Sequence, residues 1–249
     1  MIESAVDSRW FRRYPPSDGE VVRRVVCLPH AGGAASTFHG WADYFGGGVE
    51  VLATRYPGRQ ERITEDCITN MAELAAAVTE ALLPFLDVPL HVFGHSMGAS
   101  LGYEVALKLE KEHGVRLAGL YVSGRKAPHR VNPEPTYLGG DEALIGEVLR
   151  LGGTEARLLS DPDLYELVMP AMRADFEIVG TYHAQPGHPV SCPVVGYVGD
   201  RDPGISPVDM AAWADVSAAS FDLTVFPGGH FYLLEQRDAL VRDLAARIV

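Results

Sequence analysis

The sequence predicts an α/β protein with a mostly parallel central sheet flanked by helices. Short apolar runs, suited to strands buried on both faces, alternate with stretches of helical periodicity along the 249 residues. Glycine-bearing turns follow several of these runs, which is the order of parallel βαβ units. Because α/β chains of this length commonly fold as one unit, we expect a single domain over residues 1–249.

The composition argues against several classes of function. Lysine and arginine total 21 against 33 acidic residues, and the resulting net charge of −12 argues against nucleic acid as a partner. No apolar segment approaches the ~20 residues of a membrane span, and the N-terminus has no apolar core of signal-peptide length. Cys27, Cys67 and Cys192 fit neither a disulfide framework nor a metal-ligand pattern. We therefore expect a soluble, cytoplasmic protein.

The first quarter of the chain contains a leader and two predicted strands. Residues 1–20 mix arginines with aromatic side chains, and we expect a partly ordered leader whose aromatics pack on the protein body. Strands are predicted at residues 21–28 and 49–56, with a glycine turn over residues 30–33 between them. Asn70 is placed to cap a helix, because apolar residues then recur at i, i+3, i+4 and i+7 from Met71 onward.

The pattern is organised around residues 89–103, where a strand, a turn and a helix follow in immediate succession. The turn is Gly94-His95-Ser96-Met97-Gly98, the G-x-S-x-G nucleophile elbow, in which a strained turn projects the serine hydroxyl clear of the sheet. The two glycines lack a Cβ, so strand and helix can pack closely around the turn. The positive end of the helix favours the negative charge that develops during acyl transfer.

A helical insertion interrupts the alternation after the next predicted strand, at residues 117–123. Residues 131–183 give no strand signal but three helical stretches, at 141–151, 161–169 and 170–182, the last opening with a proline. We interpret this insertion as a lid, in which Met169, Met172 and Phe176 either line an acyl pocket or pack on the core. Strands at 193–199 and 221–226 and a helix at 239–248 complete the chain.

Serine needs a base to take its proton, and the base needs an acid to orient it. In α/β hydrolases these follow in the chain order serine, acid, histidine. Here the strand at 193–199 is followed by Asp200 and Asp202, and the strand at 221–226 by His230. Both loops lie at the carboxyl ends of parallel strands, where such sheets bind ligands. We predict a triad of Ser96, Asp202 and His230, with Asp200 as the alternative acid or a brace for its loop.

The tetrahedral oxyanion of acyl transfer needs two backbone N–H donors. One comes from the residue after the nucleophile, Met97, and the other from the loop after the first main strand, where Ala31 is our choice. His30 and His95 flank the glycine turns near the site, and we expect them to shape it; His30 is also a candidate for the substrate pocket.

Together these motifs resemble one family, the type II or external thioesterases of modular polyketide and nonribosomal peptide synthesis. The resemblance covers almost the whole chain, through LPHAGGAASTFHGW, RYPGRQER, VFGHSMGASLGYEVA, VSGRKAPH, MRADFEIVGTY, GDRDP and PGGHFYLL. It implies an α/β-hydrolase fold with a helical lid, the triad and the oxyanion donors named above. It also implies the task of editing, which is hydrolysis of stalled or aberrant acyl groups from the phosphopantetheine arm of carrier proteins.

The expected partners are acyl or peptidyl carrier proteins, met transiently by a monomer. No metal or organic cofactor is suggested, since no histidine or cysteine cluster has ligand spacing and the glycine loops match no nucleotide fingerprint. Several basic residues follow strands that open towards the active-site edge, and they either dock the carrier or are solvated loop charges: Arg59, Arg62, Arg125, Lys126 and Arg130. The alternatives are a carboxylesterase or acyltransferase of the same fold, or a non-catalytic carrier-binding module.

Overall fold

The computed structural model describes residues 7–16, 19–133, 135–153, 161–184 and 188–248. Its strands are β1 (Phe11–Tyr14), β2 (Arg23–Leu28), β3 (Val49–Thr54), β4 (Leu90–His95), β5 (Gly119–Ser123), β6 (Val194–Gly199) and β7 (Phe221–Phe226). They form one seven-stranded sheet in the order β1-β3-β2-β4-β5-β6-β7. β1 pairs with β3 antiparallel, and the other pairings between these strands are parallel. The predicted α/β class with a mostly parallel sheet is confirmed.

Helices lie on both faces of this sheet. The α-helices are α1 (Asp7–Trp10), α2 (Met71–Leu82), α3 (Met97–His113), α4 (Gly140–Arg150), α5 (Pro162–Thr181), α6 (Pro207–Ala211), α7 (Tyr232–Glu235) and α8 (Arg237–Arg247). Short 3₁₀ helices lie at Ala35–Phe38, Ala42–Tyr44, Gln60–Arg62, Leu83–Phe85, Pro128–Arg130, Pro135–Gly139 and Ala212–Val216. The predicted cap of α2 is present, since the Asn70 side chain accepts hydrogen bonds from the N–H groups of Ala72 and Glu73.

Alternate residues of the central strands enter two apolar layers, one on each face of the sheet. In β2, Val26 packs in the layer that includes the apolar residues of α2 and α3. Val25 and Cys27 pack in the opposite layer, which includes the apolar residues of α8. Every residue of β3, β4 and β6 is buried, as expected for parallel strands covered on both sides. Cys27 lies within the apolar strand β2 and is 0% exposed, so it is a core residue.

The parallel pairing brings the carboxyl ends of β2 to β7 to a single edge of the sheet. Loops at this edge carry most of the residues predicted to act in the site. Ala31 follows β2, Ser96 follows β4, and Arg125 follows β5. Asp202 follows β6 and His230 follows β7. Five segments far apart in the chain thus meet along one edge, which is where open parallel sheets bind their ligands.

The N-terminal leader is more regular than the sequence suggested. Trp10 and Phe11 are buried, as predicted for its aromatics, but residues 11–14 also form the edge strand β1. These residues carry no strand signal, because two arginines occupy the middle of the strand. The Arg13 guanidinium donates to the buried Glu50 carboxylate, with a distance of 2.7 Å from Nε to Oε1. Such a partner on β3 cannot be inferred from local periodicity.

The helical insertion contains one long helix where two were expected. The helix α5 runs from Pro162 to Thr181 and passes through Pro170, so the predicted boundary at that proline is wrong. Pro170 is exposed, and the apolar residues on the other side of the helix pack with residues of α4, which offsets the backbone hydrogen bond that proline removes. Residues 134 and 154–160 of the predicted lid lie outside the described residues.

Among the described residues, no helix is both long enough and apolar enough to cross a bilayer.

Candidate active site

Ser96 occupies the sharp turn between β4 and α3. Its backbone adopts φ 54° and ψ −117°, a conformation that non-glycine residues rarely adopt. The turn is held by a hydrogen bond from the Ser96 N–H to the carbonyl oxygen of Ser123, at 2.8 Å. Strain of this kind persists only where the surrounding structure imposes it, and it is concentrated at functional sites. The geometry is that of the predicted nucleophile elbow.

The two glycines of the motif are required by close backbone approaches. A Cβ on Gly94 would lie 2.0 Å from the carbonyl oxygen of Gly98, and a Cβ on Gly98 would lie 2.1 Å from the carbonyl oxygen of Leu28. Both obstacles are backbone atoms, which cannot move aside as a flexible side chain would. The G-x-S-x-G spacing therefore allows β4, α3 and the end of β2 to meet around the serine.

His230 lies beside Asp202 in a buried pair. The Asp202 Oδ2 atom is 2.7 Å from the His230 Nδ1 atom, and their side chains are 0% and 4% exposed. The other carboxylate oxygen of Asp202 accepts the N–H groups of Gly204 and Ile205, at 2.9 and 3.2 Å. The carboxylate is thus fixed, and it holds the imidazole with Nε2 as the nitrogen left for another partner.

Asp200 takes a different position in the same loop. Its carboxylate accepts the N–H of Gly228 at 2.8 Å, and its side chain is 45% exposed. This contact ties the loop after β6 to the loop after β7, which is the bracing alternative considered from the sequence. The structure pairs His230 with Asp202 rather than with Asp200.

Ser96 and His230 line one pocket, whose empty volume is about 850 Å³ including the part open to solvent. Its apolar wall includes Met172 and Phe176 of α5, two of the predicted pocket residues. The third, Met169, is fully buried and follows the packing alternative, since it lies in a cluster with Leu144 and Val148 rather than in the pocket wall. His30 and Ala31 also line the pocket.

The predicted oxyanion loop is a tight turn next to the serine. The Gly33 N–H donates to the His30 carbonyl at 2.9 Å, and Gly32 has φ +75° at the third position of the turn, as in a type II turn. Ala31 faces the pocket from this turn. Met97, the other predicted donor, is the first residue of α3, so its N–H is one of those without a partner within the helix.

Two further histidines pack close to His230. The ring centroids of His95 and His230 are 4.9 Å apart, and those of His30 and His95 are 5.8 Å apart. Burial lowers the pKa of His30 to about 3 and the pKa of His95 well below its ordinary value. Both rings are therefore neutral at neutral pH. His95 packs against His230, and His30 packs against His95 and lines the pocket.

The sequence analysis missed a pair of buried hydroxyl groups that lies next to His95. His95 Nδ1 lies 2.9 Å from Ser123 Oγ, which lies 2.6 Å from the Tyr232 hydroxyl. These residues come from β4, β5 and α7, and no motif joins them in the sequence. The contact orients the ring of the residue that precedes the nucleophile.

Two of the five predicted docking residues are buried, and this assignment was wrong for them. The Arg59 guanidinium forms a two-pronged pair with the Asp175 carboxylate, at 2.6 and 2.8 Å. Arg62 is bonded to Glu65 and lies over the Trp10 ring, 4.1 Å from its centroid. Arginine at the end of a strand appears the same in sequence whether it faces solvent or a buried acid.

The other three docking candidates lie nearer the surface. Arg125 is half-buried, lines the pocket and donates from Nε to Ser100 Oγ at 3.1 Å. Lys126 is half-buried and Arg130 is exposed.

Asp175 is another residue near the site that the sequence analysis did not select. It lies on α5 in register with the apolar residues Met172 and Phe176, and it is 1% exposed. An acidic residue on the apolar face of an amphipathic helix is the signal that could have found it, because a buried carboxylate needs a partner.

We found no metal centre in the part of the chain that the structure describes. No group of three or more histidine, cysteine, aspartate or glutamate residues there is arranged to hold a metal ion.

Proteins of similar sequence identify the family of this chain. The family model for the thioesterase domain matches residues 23–248. The chain is 41% identical to Thioesterase PikA5 of Streptomyces venezuelae over 241 residues, which cover 96% of this chain and 85% of that protein. It is 32% identical to Gramicidin S biosynthesis protein GrsT of Aneurinibacillus migulanus, covering 90% of this chain and 88% of that protein.

Solved structures extend the likeness to the whole fold. The type II thioesterase BorB from the borrelidin biosynthetic cluster superposes with a TM-score of 0.88 at 38% identity, covering 100% of both chains. RedJ, a thioesterase of the prodiginine biosynthetic pathway in Streptomyces coelicolor, gives a TM-score of 0.87 at 35% identity, covering 94% of this chain and 93% of that one. The chain has the α/β-hydrolase fold and belongs to the thioesterase domain family.

Proposed function

We propose that this protein is an editing thioesterase that hydrolyses stalled or aberrant acyl groups from the phosphopantetheine arm of acyl or peptidyl carrier proteins. The observation that carries this proposal is the strained Ser96 in the same pocket as the buried His230 and Asp202 pair. The relatives support the substrate class, since BorB is named as a type II thioesterase and PikA5 as a thioesterase.

In the proposed reaction His230 takes the proton of Ser96, and the serine oxygen attacks the thioester carbonyl. The oxyanion is stabilised by the N–H groups of Ala31 and Met97, while Asp202 holds the imidazole in the useful tautomer and stabilises its positive charge. The pantetheine thiol leaves with the proton from His230. Water activated by His230 then releases the acid from Ser96 and restores the enzyme.

A thioester suits this arrangement because its leaving group is acidic. A thiol has a pKa near ~8.5, far below that of an alcohol, so a thioester needs less help from the general acid than an ester does. The mechanism uses only side chains and backbone groups of this chain. It requires no resident metal or organic cofactor, because the phosphopantetheine arrives as part of the substrate.

The pocket suggests where the two parts of the substrate bind. We assign the acyl chain to the apolar wall of the pocket. This wall is formed by Met172, Phe176 and Val179 of α5 and by Val148 of α4. These four side chains offer apolar surface, so this wall of the pocket favours apolar acyl chains. The pantetheine arm would reach Ser96 from the open side of the pocket. In this assignment α4 and α5 form the lid.

The carrier protein is the proposed partner, bound briefly by a monomer in the cytoplasm. A chain with a net charge of −12 attracts an acidic carrier only through a local basic patch, for which Lys126 and Arg130 are the candidates.

Replacing both Lys126 and Arg130 with glutamine should raise KM for an acyl-carrier protein and leave KM for an acyl-pantetheine unchanged. An unchanged KM for the carrier substrate would remove these residues from the docking surface.

The experiment that tests the proposed function compares an acyl-pantetheine thioester with an oxygen ester of the same acyl group. We expect faster hydrolysis of the thioester and covalent labelling of Ser96 by a fluorophosphonate. Cleavage of the oxygen ester alone would indicate a carboxylesterase of the same fold. A chain that cleaves neither compound and resists the label would be a non-catalytic module.

A further inference from the structure

One buried carboxylate connects the helix over the pocket with the predicted oxyanion loop. Asp175 of α5 accepts the N–H of Gly32, with a distance of 2.7 Å to Oδ2. The same oxygen accepts Arg59 Nη1 at 2.6 Å, and Oδ1 accepts Arg59 Nη2 at 2.8 Å. Arg59 Nη1 also lies 3.1 Å from the carbonyl oxygen of Gly33. Both residues that follow Ala31 are thus bound to this pair.

These contacts fix the orientation of two successive peptide groups. The carbonyl of His30 is fixed by the Gly33 N–H, and the N–H of Ala31 points the opposite way because the peptide is planar and trans. The next peptide, between Ala31 and Gly32, is fixed by Asp175. Glycine adopts either sign of φ with similar ease, so Gly32 alone does not hold the turn in one form. The Asp175 carboxylate supplies the missing constraint.

The same contacts decide which N–H remains for the substrate. The Gly32 N–H is taken by Asp175 and the Gly33 N–H by the His30 carbonyl. Within this turn the Ala31 N–H is left for an oxyanion, provided that the turn keeps its form. The position of the Ala31 N–H can vary only little, because a donor that stabilises an oxyanion has to lie within hydrogen-bonding distance of the position that the oxygen reaches.

We propose that Asp175, held by Arg59, is a positioning residue that sets the oxyanion loop and connects it to the helix lining the acyl pocket. This inference rests on the proposed function, because it takes Ala31 as an oxyanion donor. Asp175 itself touches neither Ser96 nor the reacting carbonyl; it acts through the backbone of Gly32. Met172 and Phe176 lie on the same helix, so a shift of α5 would move the pocket wall and the oxyanion loop together.

The pair is built to hold a fixed geometry. The side chains of Arg59 and Asp175 are 10% and 2% exposed. Burial alone would lower the pKa of Arg59, but the negative charge of Asp175 raises this pKa above its ordinary value. The guanidinium is also placed over the Tyr56 ring, 5.3 Å from its centroid. A planar guanidinium bound to both carboxylate oxygens leaves little rotational freedom to either group.

The test uses Asp175→Asn, which keeps the shape of the side chain but replaces one carboxylate oxygen with an amide NH2. Because both oxygens of Asp175 accept from Arg59, this NH2 would face a guanidinium donor, and the pair could no longer hold Gly32 and Gly33 as it does. We expect kcat to fall about 10- to 100-fold. Loss of a whole oxyanion donor lowers kcat by ~10²- to 10³-fold, and this variant should misplace the donor without removing it. KM should change less than about threefold. Affinity for an acyl trifluoromethyl ketone, whose adduct with Ser96 carries an oxyanion, should fall by the same factor as kcat. Affinity for a non-hydrolysable thioether analogue should stay unchanged, because that compound forms no oxyanion.

A matched control comes from the same helix. The Arg173 guanidinium of α5 is bound at 2.7 and 2.6 Å to the two carboxylate oxygens of Asp141 in α4. This pair ties α5 to α4 but makes no contact with the oxyanion loop. The variant Asp141→Asn makes the same chemical change in a helix-to-helix pair. We expect it to keep the wild-type kcat and the wild-type affinity for the ketone.

A double variant, Arg59→Met with Asp175→Leu, separates positioning from stability. Replacing a buried ion pair with apolar residues of similar volume is often neutral or stabilising, so this variant should still fold. Its unfolding temperature should fall only by the loss of the hydrogen bonds to Gly32 and Gly33, while kcat and ketone affinity stay low. Wild-type kcat and ketone affinity in Asp175→Asn or in the double variant would overturn the assignment. Loss of folding in both would also overturn it, because the pair would then be structural. A wild-type enzyme that neither hydrolyses thioesters nor binds the ketone would instead contradict the proposed function.

Discussion

Two aspartates two residues apart in one loop have different surroundings, and this difference defines the candidate chemistry at the residue scale. The side chain of Asp202 is fully buried and bonded to His230, whereas the side chain of Asp200 is 45% exposed and bonded to the N–H of Gly228. Both carboxylates also accept backbone N–H groups, so replacing either aspartate disturbs the loop. Only replacement of Asp202 changes the environment of the His230 imidazole.

Replacing these two aspartates separately tests the assignment. Asp202→Asn should lower kcat about 10³- to 10⁴-fold, because an amide at this position favours the wrong tautomer of His230. Asp200→Asn should lower kcat less than about tenfold, since the carbonyl oxygen of asparagine can still accept the Gly228 N–H. The measurement is steady-state hydrolysis of an acyl-pantetheine. Equal losses in the two variants would contradict the pairing of Asp202 with His230.

The sequence was most informative where a residue's role depends on its immediate neighbours. The glycines around Ser96 and the loops after β6 and β7 could be recognised because each motif contains its own structural requirement. It was least informative for Arg59, whose partner Asp175 lies 116 residues away along the chain. An arginine after a strand does not reveal whether it faces solvent. Burial of a charge is a property of the fold, and local patterns do not encode it.

At the element scale, the junction of β2, β4 and α3 depends on backbone contacts that leave no space for a side chain. Gly98 lies in the first turn of α3, where its Cα faces the carbonyl oxygen of Leu28. Gly146 in α4 offers a contrast, because a Cβ built there meets no atom within 4 Å and the residue is exposed.

Alanine at these two glycines should therefore have opposite effects on stability. Gly146→Ala should stabilise the protein by up to about 1 kcal/mol, which is the difference in helix propensity between the two residues. Gly98→Ala should destabilise it by several kcal/mol, roughly the range of severe core substitutions, or abolish folding. Urea unfolding followed by circular dichroism measures both. A Gly98→Ala variant as stable as the wild type would mean that the elbow is not packed as described.

Element boundaries were predicted well where a local signal in the sequence marks them and poorly elsewhere. The strand at residues 221–226 and the start of α2 were placed correctly, because an apolar pattern and a cap mark them. The boundary expected at Pro170 does not exist, since packing of α5 on α4 outweighs the local cost of proline within a helix. The strand β1 was missed for the same kind of reason, because its Arg13 is paired with Glu50 on the neighbouring strand β3.

At the scale of the whole molecule, buried histidines make stability depend on pH. Burial lowers the pKa of His30 to about 3 and that of His91 to about 4, and His95 shifts in the same direction. In the unfolded chain each would titrate near ~6.5. Below that pH the unfolded state binds more protons than the folded state, so the free energy of unfolding falls as pH drops from about 7 towards 4. Glu104 opposes this trend, because burial raises its pKa.

The contribution of one histidine can be isolated at His91, which lies away from the pocket and is 6% exposed. Between pH 7 and pH 5 the wild type should lose on the order of 1–2 kcal/mol for each buried histidine. His91→Gln should show a smaller loss over the same range. His113→Gln, which removes an exposed histidine at the end of α3, should keep the wild-type loss. Identical pH dependence in all three proteins, measured by urea unfolding, would contradict this account.

The central claim is that this fold releases acyl groups from a carrier protein through a covalent bond to Ser96. The most direct measurement loads acetyl, propionyl and a longer acyl group on a phosphopantetheinylated carrier protein and follows the intact carrier mass after addition of wild type or Ser96→Ala. We predict that wild type returns the carrier to its free-thiol mass, while Ser96→Ala leaves the acyl group in place. Equal release by the two proteins, or no release by either, would contradict the claim.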